Sequence, residues 1–188
     1  MHKTTNFPKK LMVFLGLRGD GSSFSLKFMN QGTITSDSCY KLLRFNCIPQ
    51  LKAGNEGTLG GLWWQQDDAS PHRTQKMMRY LDNQFGQNTL AMGSISGWDW
   101  AARSPDMNPL DFFAWGYLKS KVFEVGGRPQ NMAEMKAKIT RVVNKLVPDM
   151  NWWFKHHHVL PTMIYMFVGG SKHNFSLACT AICCCYLK

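Results

Sequence analysis

Residues 9–29 read KKLMVFLGLRGDGSSFSLKFM, and the fold class turns on them. Lys9 to Arg18 is a compact apolar run rich in β-formers, followed by Gly19-Asp20-Gly21-Ser22. Asp-Gly between two apolar runs is a hairpin signal. The return strand is expected over Ser23 to Met29, where Phe24, Leu26 and Phe28 alternate with polar neighbours as the period of a strand requires.

Beyond the hairpin the apolar spacing becomes helical. Thr35-Ser36-Asp37 can cap a helix running through Tyr40, Leu42, Leu43 and Phe45 and ending before Pro49. KAGNEGTLGG, residues 52–61, is Gly-rich and reads as a loop. Leu62 to Gln66 reads as a short strand, closed by the polar cluster Asp67-Asp68-Ala69-Ser70-Pro71. From Arg73 to Phe85, Met77, Met78, Leu81 and Phe85 share one helical face. Gly86 to Ala102 reads as loop, with a strand expected around Ser94 to Ser96. Asn108-Pro109 opens a further helix, Pro suiting its first turn, with Leu110, Phe113, Trp115 and Leu118 supplying apolar contacts. Gly126-Gly127-Arg128-Pro129 stops it, and Asn131 opens the next, with Glu134 as a capping-box variant. There Met135, Ile139, Val142, Val143 and Leu146 recur at helical spacing, while Lys136, Lys138, Arg141 and Lys145 take the remaining faces. Two strands, then helices alternating with single strands, indicate a mixed α/β domain.

A chain of 188 residues, 44% hydrophobic and 13% aromatic, can bury a real core and is not a disordered composition. No apolar run approaches the ~20 residues of a membrane span. Leu11 to Leu17 lacks a small-residue cleavage site and reads as a strand rather than a signal peptide. Cys39 and Cys47 lie early, and Cys179, Cys183, Cys184 and Cys185 crowd the last ten residues. That distribution is unlike a secreted disulfide framework or the paired spacing of a zinc site, so the tail reads as an unconstrained extension. The net charge is +10. Residues 61–125 hold seven of the twelve acids, against six Lys and Arg, and basic segments flank them. Basic surface around an acidic centre suits an enzyme that binds a polyanion at a metal site.

Two short motifs carry the chemistry. The first is Trp64-Gln65-Gln66-Asp67-Asp68-Ala69-Ser70-Pro71-His72, and the second is Ser104-Pro105-Asp106-Met107-Asn108-Pro109-Leu110-Asp111. Asp67 falls where a strand gives way to a polar turn, and Asp111 in the first turn of a helix. A strand end and a helix start often share one crevice, where two carboxylates can hold a hard cation such as Mg²⁺. Paired ions can activate a water and stabilise the leaving oxygen of a phosphodiester. Aspartates also favour turns and caps for purely structural reasons, and spacing alone leaves both readings open.

Both motifs resemble those of the mariner-type DDE/D transposases. In that family Gln-Asp-x-Ala-x-x-His carries the second catalytic Asp, and Ser-Pro-Asp-x-Asn-Pro-x-(Asp or Glu) carries the third acid. Asp67 falls on the second and Asp111 on the third, 44 positions apart. Ala69 and His72 fit the first motif; Ser104, Pro105, Asp106, Asn108 and Pro109 fit the second. His72-Arg73-Thr74, Trp115-Gly116-Tyr117-Leu118-Lys119 and Arg128-Pro129 also look familial. The resemblance spans residues 8–175, read as one partial catalytic domain, with 176–188 as a divergent tail. It implies an RNase H-like mixed sheet with flanking helices, acting in metal-dependent cleavage and transfer of DNA strands during transposition and integration. By resemblance, Asp67 and Asp111 are catalytic residues and ligands of Mg²⁺ or Mn²⁺. His72, Arg73, Arg103, Lys119 and Lys121 are candidate DNA contacts. DNA at transposon ends is the implied partner, with a second copy or another transposase chain beside it. The implied localisation is nuclear, and cytoplasmic otherwise; no membrane and no small-molecule cofactor is expected.

The departures from the family pattern shape the functional expectation. The first catalytic Asp of the family lies on a strand ahead of the segment that begins here at Lys9, and Met1 to Pro8 contain no acid. The first strand is therefore expected to be missing, the centre of the sheet lost and its hydrogen-bonding edges exposed. Asp20, at a hairpin tip, does not replace that acid. A triad reduced to two acids should bind metal poorly and leave the chain inactive by itself; the alternative is a non-catalytic nucleic-acid-binding or transposase-interacting remnant. Asp68 either joins the metal shell or faces solvent in its turn. His72 either touches a phosphate or a catalytic carboxylate, or orients the turn ahead of its helix. Lys155-His156-His157-His158 reads as a solvated basic stretch, because adjacent side chains diverge. Trp63-Trp64 and Trp152-Trp153 read as core or interface pairs.

Overall fold

The computed structural model describes residues 11–18, 23–29, 34–100, 108, 110–124, 128–157 and 180–187. Strand β1 (Leu11–Leu17) pairs antiparallel with β2 (Ser23–Met29), with Met12 opposite Met29 and a register shift at Gly16/Leu17. This is the hairpin expected from the opening stretch. All seven residues of β1 are buried. Leu11, Val13, Leu15 and Leu17 face one hydrophobic cluster, and Met12 and Phe14 face another. A strand buried on both faces belongs inside a three-layer domain rather than on its surface. The chain is accordingly a mixed α/β structure with helices on each side of the sheet.

One covering layer is α1 (Ser36–Leu42), a π-helical segment (Leu43–Cys47), α2 (Ile48–Ala53) and α3 (Gln75–Phe85). Thr35 caps α1 in a full capping box, its hydroxyl accepting from Ser38 N–H at 3.2 Å. The helical run does not end before Pro49. Ile48 N–H reaches back to the Leu43 carbonyl, a five-residue bond. That wider turn lets the chain stay helical past a ring that would otherwise crowd the preceding carbonyls. Asp37 joins α1 to α3, meeting Lys41 at 2.7 Å and Lys76 at 3.0 Å. On α3, Met77, Met78, Leu81 and Phe85 are the buried residues, the face expected from their spacing.

The other layer is a π-helical segment (Leu110–Ala114), α4 (Trp115–Glu124) and α5 (Met132–His157). Leu110, Ala114, Leu118 and Val122 meet Met135, Ile139, Val143 and Leu146 over the odd residues of β1. Asn131 Oδ1 accepts from Glu134 N–H at 2.9 Å, and Glu134 accepts from Gln130 N–H at 2.7 Å. The capping box is therefore closed one residue early. The backbone of α5 continues through Pro148 to His157, so the basic tract through His157 is helical.

The sheet order is β2-β1-β5-β3-β4, where β3 is Trp64–Gln66, β4 is Thr89–Leu90 and β5 is Thr180–Leu187. β5 pairs antiparallel with β1, from Leu11↔Leu187 to Leu17↔Ala181, and parallel with β3, from Trp64↔Thr180 to Gln66↔Ile182. Two expectations change here. Hydrogen-bonding edges are expected from the sequence to stand exposed, but β1 is paired on both sides, and part of the stretch read as an unconstrained extension is the central strand. The run Thr-Ala-Ile-Cys-Cys-Cys-Tyr-Leu is continuously apolar or small, the pattern of a strand flanked on both sides. A third correction concerns the strand expected at Ser94 to Ser96. The strand is instead Thr89–Leu90, parallel to Trp64 and Gln65. Ser96 is drawn away to the Asp82 carboxylate through its N–H (3.0 Å) and its hydroxyl.

Candidate functional site

Asp67 follows the last residue of β3, and the motif around it builds its own support. Trp64 is fully buried, and its indole N–H donates to Gln66 Oε1 at 3.2 Å. Gln66 Nε2 donates in turn to the carbonyl of His72 at 3.1 Å. Ser70–His72 is a single 3₁₀ turn closed by His72 N–H on the Ala69 carbonyl, at 2.8 Å. This turn folds the His72 ring back onto the strand end, where Nδ1 lies 2.5 Å from Asp67 Oδ1. The same oxygen accepts from Ala69 N–H at 3.2 Å. Each conspicuous residue of the first motif thus acts on the placement of one carboxylate.

The second motif is built on the same plan at a helix start. Asn108 is buried at 1% exposure, and its side chain works in both directions. Oδ1 accepts from Leu110 N–H at 3.2 Å, capping the first turn, while Nδ2 donates to Asp111 Oδ2 at 2.7 Å. Asp111 N–H closes the turn on the Asn108 carbonyl at 2.9 Å. The segment bearing Asp111 packs against β5, and β5 pairs with β3, the strand that Asp67 follows. The two acids are therefore carried on elements that flank one central strand.

Mg²⁺ and Mn²⁺ require several oxygen ligands converging on one point. Among the described residues, no group of three or more His, Cys, Asp or Glu side chains is placed to hold a metal ion. Asp67 Oδ1 already takes part in two hydrogen bonds. The described residues therefore do not make a complete site for either cation. Asp68 is partly exposed in the turn.

The candidate DNA contacts separate. His72 is 1% exposed, and its ring is turned to Asp67 rather than to solvent. Of the readings open for it in sequence, the structure shows contact with the Asp67 carboxyl group. Arg73 is exposed beside this turn, donating to Ser70 Oγ at 3.3 Å. Lys119 and Lys121 are exposed on α4, with Lys121 Nζ lying 5.7 Å from the Tyr117 ring centre. Arg103 lies outside the described residues, as do Ser104 to Met107 of the second motif. No described helix is long and apolar enough to cross a membrane.

No family model matches the chain, and neither a curated protein nor a solved structure matches it.

Proposed function

We propose that this chain is a mariner-type DDE/D transposase domain of RNase H-like fold that binds DNA and, by itself, does not cut it. The observation that carries the reading is the matched construction of the two acids. Asp67 at the end of β3 is held by His72, and Asp111 at a helix start is held by Asn108. The partner in each case is the other distinctive residue of the same motif. Carboxylates held rigidly by neighbouring side chains are what a preorganised phosphoryl-transfer site demands. The central position of the sheet, between β1 and β3, is taken by β5, whose eight residues contain no acid. With no third acid grouped beside these two among the described residues, weak metal binding and no strand cleavage are expected.

The register supplies a test of this reading. Gln66 pairs with Ile182, so Cys183 stands one step further along β5, level with Asp67. Cys183→Asp and Cys184→Asp each add an acid to β5 just beyond the Gln66 pairing, on opposite faces of the strand. One of the two is expected to gain Mn²⁺ affinity by calorimetry and Mn²⁺-dependent plasmid nicking, both lost again on Asp67→Ala. If neither folded variant gains either property, Asp67 and Asp111 are not parts of a carboxylate metal site. A second reading, a DNA binder that makes no use of either acid, is favoured by the engagement of Asp67 with His72. It requires DNA affinity that is unchanged in Asp67→Ala, Asp111→Ala.

A further inference from the structure

Between α4 and α5 runs a groove of about 300 Å³ lined by Tyr117, Lys121, Lys138, Arg141, Val142 and Lys145. Four of those six residues are cations, and they come from both helices. On α5, Lys138, Arg141 and Lys145 follow one another at three and four positions, which places them along one face. Lys121 approaches from α4. Lys138 meets Glu134 at 3.6 Å, at the end of this row. Like charges at this spacing repel and lower the stability of a helix. The cluster is therefore a local cost to the fold, which an anion lying against it offsets. The apolar faces of both helices are spent on the core, through Leu118 and Val122 on α4 and Ile139, Val143 and Leu146 on α5. The cations are thus held on a rigid scaffold, not on a mobile loop. Phe113 and Tyr117 stack at 5.9 Å between ring centres, continuing a line along the helix from the turn of Asp111 towards Lys121.

We infer that this groove is a binding site for the phosphate backbone of duplex DNA, separate from the carboxylates. Lys121 lies ten residues beyond Asp111, which at 1.5 Å per residue is about 15 Å along the helix. That is roughly half a helical turn of duplex, so one DNA molecule can reach both places. Contacts of this kind set the position of a duplex and carry no sequence preference. The inference deepens the proposed DNA function by assigning the binding surface, and it rests on that reading for the identity of the polyanion.

The test is fluorescence anisotropy with a labelled random-sequence duplex and the full chain across a salt series. It compares Lys121→Gln, Arg141→Gln, Lys145→Gln with a charge-matched control on the opposite layer, Arg44→Gln, Lys52→Gln, Arg79→Gln. Neither set touches Asp67 or Asp111. Loss of three phosphate contacts should lower the salt slope by about 2.7, at about 0.9 per neutralised phosphate, and weaken binding tenfold or more. The control should keep nearly the full slope. The groove variant should melt no lower than the parent, because it removes like-charge repulsion. Equal losses in both sets would reduce the effect to net charge and overturn the assignment. So would an unchanged slope in the groove variant, or preference of the groove for an acidic polypeptide such as polyglutamate over DNA. Absence of duplex binding by the parent chain would instead remove the proposed DNA function, and the two failures are thereby distinguished.

Discussion

Removing β5 tests the architecture more severely than any core substitution. β1 pairs with β5 at seven positions and β3 pairs with it at three, and within the described sheet β5 alone hydrogen-bonds the β1-β2 hairpin to the β3-β4 pair. At about 1 kcal/mol net per ladder hydrogen bond, the β1-β5 ladder contributes roughly 7 kcal/mol. That is comparable with the whole stability of an ordinary domain, about 5–15 kcal/mol. A chain lacking residues 176–188 is therefore expected to lose cooperative unfolding altogether, followed by circular dichroism in a urea series. Ile182→Pro is the graded version. Ile182 lies between Gly16 and Gln66, and proline there deletes one donor and strands its acceptor, a loss of about 2–3 kcal/mol. A deletion variant that unfolds cooperatively at the parent's midpoint would refute the reasoning, because β5 would then not hold the sheet together.

Other consequences are local. His72→Ala removes one of the partners of the Asp67 carboxyl group at a site where the ring is nearly fully buried, and should cost about 1–3 kcal/mol in denaturant unfolding. Gly97 has no room for a side chain, since an added Cβ would run into the Thr89 carbonyl. Gly97→Ala should therefore destabilise by about 1–3 kcal/mol and loosen the bridge between Leu90 and Trp98. The Asp37 carboxyl is held below the usual carboxylate range by its hydrogen bond to Lys41, then by that to Lys76. A depressed folded-state value means that its small contribution is present above the unfolded carboxylate range and is lost as pH falls through the lowered value. An NMR titration of the Asp37 carboxyl should move up towards normal in Lys41→Ala and in Lys76→Ala; coincident curves in parent and variants would count against the bridge. Thr35→Ala should cost about 1 kcal/mol by opening the capping box, read from the same unfolding curves.

The parts of the fold legible in the sequence are those set by short-range periodicity. The alternation of Leu26 and Phe28 marks β2, and the spacing of Met77, Met78, Leu81 and Phe85 marks the buried face of α3. What periodicity missed depends on long-range partners. Thr89–Leu90 is too short to signal itself and becomes a strand because Trp64 and Gln65 offer it an edge. Thr180–Leu187 is a strand because β1 and β3 leave a slot for it, and its three successive Cys carry no period of their own. Pro49 marks a helix end by local rules and sits inside a helix because a π turn absorbs it. At the candidate site, the motifs single out Asp67 and Asp111, while the hydrogen bonds from His72 and Asn108 that hold them join side chains whose approach depends on the fold of each turn. The groove between α4 and α5 could not be read from one helix alone, since its fourth cation comes from the other.

The proposal that this chain binds DNA without cutting it by itself is tested most directly by plasmid nicking with binding measured in parallel. The parent chain and Asp67→Ala, Asp111→Ala are each incubated with supercoiled plasmid and Mg²⁺ or Mn²⁺. Both are expected to retain the plasmid in a mobility shift and to leave it supercoiled. Metal-dependent nicking by the parent that disappears in the double variant would contradict the account, because two acids and their neighbours would then form a working site.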